Sequence, residues 1–135
     1  MMEQALSYVA RGIATGEASG LWVLDVDTKG PPDGQTGTEA YAQLVERHGL
    51  AVDLQARTGS GGLHVYFAMP EDGRQVRNRQ GLRIDGPTSA RTGIDVRGTG
   101  GYVVAPPAGH YSGGRYEWLT GADAIPLQAP AWLLE

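Results

Sequence analysis

The sequence predicts an α+β domain built on a mainly antiparallel sheet. Three observations carry that prediction: short apolar segments alternating with period two, glycine clusters between them, and few segments with helix signals. At 135 residues the chain fits one domain spanning 1–135, which should bury roughly two-thirds of its unfolded surface. Gly 21 and Pro 8, against 7% aromatics, call for short elements joined by demanding turns. Cys 0 excludes disulfides, thiol catalysis and any cysteine-ligated zinc or iron–sulfur centre. No apolar run approaches the ~20 residues of a membrane span, and the amino end lacks a signal-peptide layout. A cytoplasmic protein without a membrane partner is the expectation.

Met2–Ala10 reads as a short helix. Leu21-Trp22-Val23-Leu24-Asp25-Val26-Asp27 is an apolar run ending in carboxylates, the pattern of a central strand covered on both faces. A Pro/Gly loop runs from Lys29 to Gly37. Thr36 with Glu39 three residues later is a capping box and Gly49 a stop signal, so a helix is expected from about Gly37 to His48. Val52–Arg57 and Leu63–Phe67 flank Gly59-Ser60-Gly61-Gly62 and form a β-hairpin. The stretch from Glu71 to Arg91 is irregular or holds one short strand. Gly93–Arg97 and Tyr102–Ala105 read as a strand pair about Gly98-Thr99-Gly100-Gly101. Tyr116–Leu119 adds an edge strand, and Pro130–Glu135 starts a closing helix. Trp22 should face the core, Trp118 and Trp132 should pack under the carboxyl end, and His48 should suit a helix C-terminus.

A net charge of -4 argues against binding nucleic acid by bulk charge alone. The sum hides an asymmetry, because Arg74, Arg77, Arg79, Arg83, Arg91 and Arg97 fall in one stretch. Arginine forks bind phosphate bidentately. The plainer alternative is a solvated loop.

Asp25 and Asp27 are two apart on a strand, so both carboxylates leave one face. Their repulsion is tolerated where a divalent cation or shared proton sits, and hard oxygens suit magnesium or manganese. In Gly93-Ile94-Asp95-Val96-Arg97, Asp95 and Arg97 share a face opposite Ile94 and Val96. If that strand neighbours the first, three carboxylates converge and can hold two metals about 3.5–4 Å apart. The turn Thr58-Gly59-Ser60-Gly61-Gly62 permits a backbone nest for anions, beside His64, which shares its face with Tyr66. Solvated turn aspartates and a plain glycine hairpin are the structural alternatives.

Together, Leu24-Asp25-Val26-Asp27, Thr58-x-Ser60-Gly61-Gly62-x-His64 and Gly93-Ile94-Asp95-Val96-Arg97-Gly98 resemble the three ordered motifs of the bifunctional DNA primase/polymerase (prim-pol) domain. That family belongs to the archaeo-eukaryotic primase superfamily. Gly12-Ile13-Ala14-Thr15-Gly16 with Ser19-Gly20, and Gly101-Tyr102-Val103-Val104-Ala105-Pro106-Pro107 through His110, Gly113, Tyr116 and Trp118, resemble its flanking patterns. The resemblance implies an RRM-like sheet with helices on one side and the site on the open face. Family members carry further residues ahead of Gly12, so a domain shortened at the amino end is expected. It also implies that Asp25, Asp27 and Asp95 ligate two catalytic Mg2+ or Mn2+ ions. Ser60, Gly61, Gly62 and His64 would grip the triphosphate, with Arg97 adding charge.

The activity this resemblance implies is template-directed nucleotidyl transfer on single-stranded DNA template and primer, from nucleoside triphosphates. Arg74, Arg77, Arg79, Arg83 and Arg91 are the candidate nucleic-acid contacts. A helicase module or replication partner in a longer parent protein is implied, in a bacterial, phage or plasmid replication setting. The competing reading is a non-catalytic remnant that binds nucleotide, nucleic acid or a partner without turnover. A second copy could cover apolar surface left at the amino end, giving a homodimer. Phosphatase and glycosyltransferase readings of Asp-x-Asp fit poorly: Lys29 is the only lysine, and the chain is short for a nucleotide-sugar fold.

Overall fold

The computed structural model describes residues 12–110 and 113–134, so the helix expected at Met2–Ala10 lies outside the described residues. The centre of the molecule is β2 (Leu21–Val26), paired antiparallel with β4 (Leu63–Ala68) on one side and β5 (Ile94–Arg97) on the other. Beyond β4 come β3 (Gln55–Arg57), β8 (Arg115–Trp118) and β7 (Ala108–Gly109), with β9 (Leu127–Gln128) parallel beside β4. The hairpin expected across Gly59–Gly62 is present, with Arg57 opposite Leu63. The segment expected as the edge strand is not the edge, because β7 pairs outside it. The architecture is α+β with a mainly antiparallel sheet.

Helix α1 (Gly37–Glu46) begins where the capping chemistry places it: Glu39 N donates to Thr36 Oγ1 at 3.1 Å. It closes at Glu46, and Gly49 turns the chain away with φ 66°. His48 does not serve the helix end. Its imidazole stands 3.3 Å from the Asp85 carboxylate and beside the Trp132 ring, joining two loops to the short helix α2 (Ala131–Leu134). Ala40 and Leu44 of α1 and Leu133 of α2 pack on one face of the sheet, against Trp22, Leu24, Val26, Val65, Phe67, Ile94 and Val96. Trp22 stacks on Phe67 with ring centroids 4.9 Å apart, as expected of a core tryptophan. Trp118 and Trp132 differ from expectation: both are 43% exposed.

The pairing of β5 also differs from expectation. Its expected partner, β6 (Tyr102–Val104), pairs instead with β1 (Gly12–Ala14) in a separate two-stranded sheet. The glycine turn between β5 and β6 is held by other parts of the chain. Thr99 N donates to Val76 O, and Thr15 bonds Gly98 O and Gly101 O, so the chain lifts off the main sheet after Gly98. A Cβ on Gly98 would stand 2.0 Å from Val76 O, which makes glycine the residue that permits this crossing. The small sheet then roofs half of the face away from the helices: Val103 packs on Val23, Ala56 and Tyr66, with Ile13, Leu21 and Leu54 around them. The other half stays open.

Candidate functional site

On that open half, strand register does the gathering. Asp25 on β2 is directly opposite His64 on β4 and directly opposite Asp95 on β5. Directly paired residues on neighbouring strands share a face, so Asp95, Asp25 and His64 form one row across three strands. Arg97, two residues beyond Asp95, joins them: one guanidinium nitrogen is 3.4 Å from Asp25 Oδ2 and 3.6 Å from Asp95 Oδ2. His64 Nε2 is 3.3 Å from Asp25 Oδ1. His64 itself is buried, and its Nδ1 has no hydrogen-bond partner among the described residues.

Asp27 lies one residue past the end of β2, where Lys29 N donates to its Oδ1 at 3.0 Å. Its backbone is clamped on both sides, since Asp27 N donates to Gly93 O and Thr38 N donates to Asp27 O. The clamp depends on missing side chains. A Cβ on Gly93 would stand 1.9 Å from Lys29 O, and one on Gly37 would stand 2.3 Å from Asp27 O. Asp95 Oδ1 in turn accepts from Gly81 N at 3.0 Å. Each of the three acids is therefore held by at least one donor of the chain, the kind of outer support that fixes a reactive carboxylate.

Two clefts meet at Asp25. One, of about 300 Å3, is lined by Asp25, Asp27, Asp95, Gly81 and Arg91 among others. The other, of about 450 Å3, contains Asp25, His64, Arg97, Asn78, Tyr102 and Tyr116. Burial alone would push the Asp25 carboxyl up. The hydrogen bond and charge of His64, with the charge of Arg97, outweigh burial and hold it below the usual carboxylate range. Asp25 is thus a carboxylate at neutral pH. Two residues along β4 from His64 and on the same face, Tyr66 has its hydroxyl pushed up to about 12 by burial.

The donor set is all hard oxygen, suited to magnesium or manganese. Among the described residues no three His, Cys, Asp or Glu side chains close around one point; magnesium is commonly held by one or two carboxylates together with water and substrate phosphate, which a carboxylate pair can supply. The convergence expected of the three carboxylates is realised as a pair, Asp25 and Asp95, bridged by Arg97, with Asp27 on the wall of the same cleft.

The glycine turn differs from expectation. Gly61 N donates to Thr58 O, and Gly62 N donates to the buried Thr58 hydroxyl at 2.9 Å. Those two amides close the turn instead of forming an anion nest. Ser60 Oγ lies 3.4 Å from the same hydroxyl. Gly61 and Gly62 line a third, smaller cleft of about 200 Å3 that does not include Asp25.

The arginines are divided. Arg79 exchanges backbone hydrogen bonds with Val96, so its segment flanks the outer side of β5. Arg79, Arg83 and Arg91 line a groove of about 410 Å3 that contains no carboxylate. Arg91 also lines the acidic cleft. Arg74 is paired with Asp72 at 3.3 Å, and Arg77 is exposed. Asn78, Gly81, Tyr102 and Tyr116 are not read as site residues from the sequence: Asn78 and Gly81 fall in the stretch without a period, and Tyr102 and Tyr116 enter only as strand and flanking-pattern residues.

Among the described residues no helix is long and apolar enough to cross a membrane. No curated protein and no solved structure matches the chain. The model of one family does match, over residues 5–132, and with it the chain belongs to the Prim-Pol family, the bifunctional DNA primase/polymerase N-terminal domain.

Proposed function

We propose that this domain is a template-directed nucleotidyltransferase, a DNA primase/polymerase that joins nucleoside triphosphates to a 3′-hydroxyl. The observation that carries the reading is the single row Asp95–Asp25–His64 on adjacent strands, beside two clefts. Asp25, Asp27 and Asp95 would hold two Mg2+ or Mn2+ ions, which when bound would lower the pKa of the attacking hydroxyl and neutralise charge on the leaving pyrophosphate. The chain's own groups do the positioning. His64 and Arg97 orient the two oxygens of Asp25, Gly81 N orients Asp95, and Lys29 N orients Asp27. Arg97, His64 and the Ser60 hydroxyl face the phosphates of the nucleotide; Gly61 and Gly62 shape the turn that carries Ser60.

Arg79, Arg83 and Arg91, with Arg74 and Arg77, contact the backbone of single-stranded template and primer. We further propose an RRM-like fold and a cytoplasmic replication role, with a helicase module or another replication protein as partner. The ion pairs of Arg97 to both acids favour one second reading, a domain that holds nucleotide without turnover. Incorporation of labelled nucleotide on a primed template, with magnesium or manganese supplied, separates the two. Wild type incorporates, and Asp25→Ala with Asp27→Ala drops incorporation by at least about a thousandfold while leaving the fold intact. Unchanged extension by the double variant rejects the assignment, and an inert wild type selects the non-catalytic reading.

A further inference from the structure

The row through the acids does not stop at His64. His64 is opposite Ala56 on β3, and Ala56 is opposite Trp118 on β8. One line of side chains therefore crosses five strands: Asp95, Asp25, His64, Ala56, Trp118. The rings along it are continuous. Trp118 leans on Tyr66 with centroids 5.3 Å apart, Tyr66 meets His64 edge-on at 6.4 Å, and Tyr116 lies 6.2 Å from His64. Tyr116 also lines the cleft that holds Asp25 and Arg97.

Trp118 ends this line 43% exposed, on a ring already fixed from behind by buried Tyr66. Alternation sends the charged residues of the same strands, Arg57, Arg115 and Glu117, to the opposite face. Ala56 itself is buried under Val103, so the way out of the cleft runs past Tyr116, which lines that cleft and shares β8 and its face with Trp118, and this stretch carries no charge. A flat, exposed, pre-positioned indole leading out of a cationic and acidic cleft suits a nucleobase, since stacking needs only a π-face and tolerates any base.

We propose that Trp118 is a stacking platform for a base of the single-stranded nucleic acid that occupies the Asp25 cleft. The proposal rests on the nucleotidyltransferase reading for what fills that cleft. Its distance is set by the sheet. Three strand spacings of about 4.8 Å put Trp118 about 14 Å from Asp25. At about 3.4 Å per stacked base that is about four bases along the strand.

The test is binding without metal or triphosphate, read as fluorescence anisotropy of labelled oligothymidylate of about eight nucleotides and of a dinucleotide. Trp118→Ala should weaken the longer oligonucleotide about tenfold and leave the dinucleotide unchanged, while Trp118→Phe stays near wild type. Equal affinity of Trp118→Ala and wild type for the longer strand overturns the proposal. So does an equal loss for both lengths, which would mark damage to the fold. So does a wild-type dimer that Trp118→Ala turns into a monomer with oligonucleotide affinity retained, because the ring would then serve a second copy of the chain. If Asp25→Ala with Asp27→Ala leaves extension intact while the length-dependent loss holds, the catalytic assignment fails and the platform stands.

Discussion

The two faces of β2 are built from alternate residues of one strand and meet opposite fates. Toward the helices, Trp22, Leu24 and Val26 are all buried and apolar, filled in by Phe67, Ile94 and Leu44. Toward the other side, Val23 is equally buried, but under β6, and Asp25 one step further along sits half-exposed between His64 and Asp95. The difference teaches where chemistry can be placed. A polar row is tolerable where the second cover ends, because its charges keep contact with water and with each other, and the first face supplies the rigidity. If so, the two faces should separate stability from activity.

The strongest break is on the helix side. Phe67 is fully buried, stacked on Trp22, and bonded through its strand to the same β4 that carries His64. Phe67→Ala should cost about 3–5 kcal/mol, lost transfer energy plus the cavity left behind. Chemical denaturation would read it as a lower midpoint with little change in slope. A loss below about 1 kcal/mol would mean the helix-side core is not what holds β2 and β4 together.

A smaller effect is expected where the two faces are joined to the loops. Gly93 ends the approach to β5, and its missing side chain lets Lys29 O pass. Gly93→Ala forces backbone against backbone and should cost about 1–3 kcal/mol. The displaced strand end also carries Asp27, through Asp27 N to Gly93 O, so incorporation should fall further than stability alone explains. Measuring both on one preparation sharpens the comparison: a variant that loses stability and keeps full specific activity would uncouple the clamp from the site.

Much of this was legible in the sequence, and the reason is local. Period-two alternation in Ile94–Arg97 and Leu63–Phe67 puts Asp95 with Arg97, and His64 with Tyr66, opposite their apolar neighbours without knowledge of the partner strand; that both rows adjoin Asp25 is a matter of strand pairing, which alternation leaves open. The capping of α1 by Thr36 is likewise a contact over three residues. What failed depended on distant closure. β1 and β6 are three residues each, too short for a pattern, and they pair across about ninety positions through turns pinned by Val76 and Thr15. The glycine turn misled for a different reason. A nest and a closed turn need the same glycines, and only the hydroxyl of Thr58 decides that Gly62 N is already engaged. The bridging of Asp25 and Asp95 by Arg97 sits between these cases, since the shared face was evident and the reach of the side chain was not.

The smallest expected effect lies under the roofed half of the polar face. Tyr66 is 1% exposed and its hydroxyl has no hydrogen-bond partner among the described residues, an arrangement that costs stability. Removing that oxygen while keeping the ring retains the contacts to Trp118 and His64. Tyr66→Phe should therefore raise stability by up to about 1 kcal/mol at neutral pH. The gain should widen in alkali. Burial holds the folded phenol neutral up to about 12, whereas the unfolded phenol ionises near its ordinary 10.0. Above pH 10 the unfolded chain thus releases a proton that the folded chain retains, and the wild type loses stability as pH rises through about 12. Tyr66→Phe lacks that limb. Paired thermal melts at neutral pH and at about pH 11 read both effects, and a wild type that matches the variant at both pH values would show the hydroxyl to be solvated, and the roof over this half of the sheet to be open.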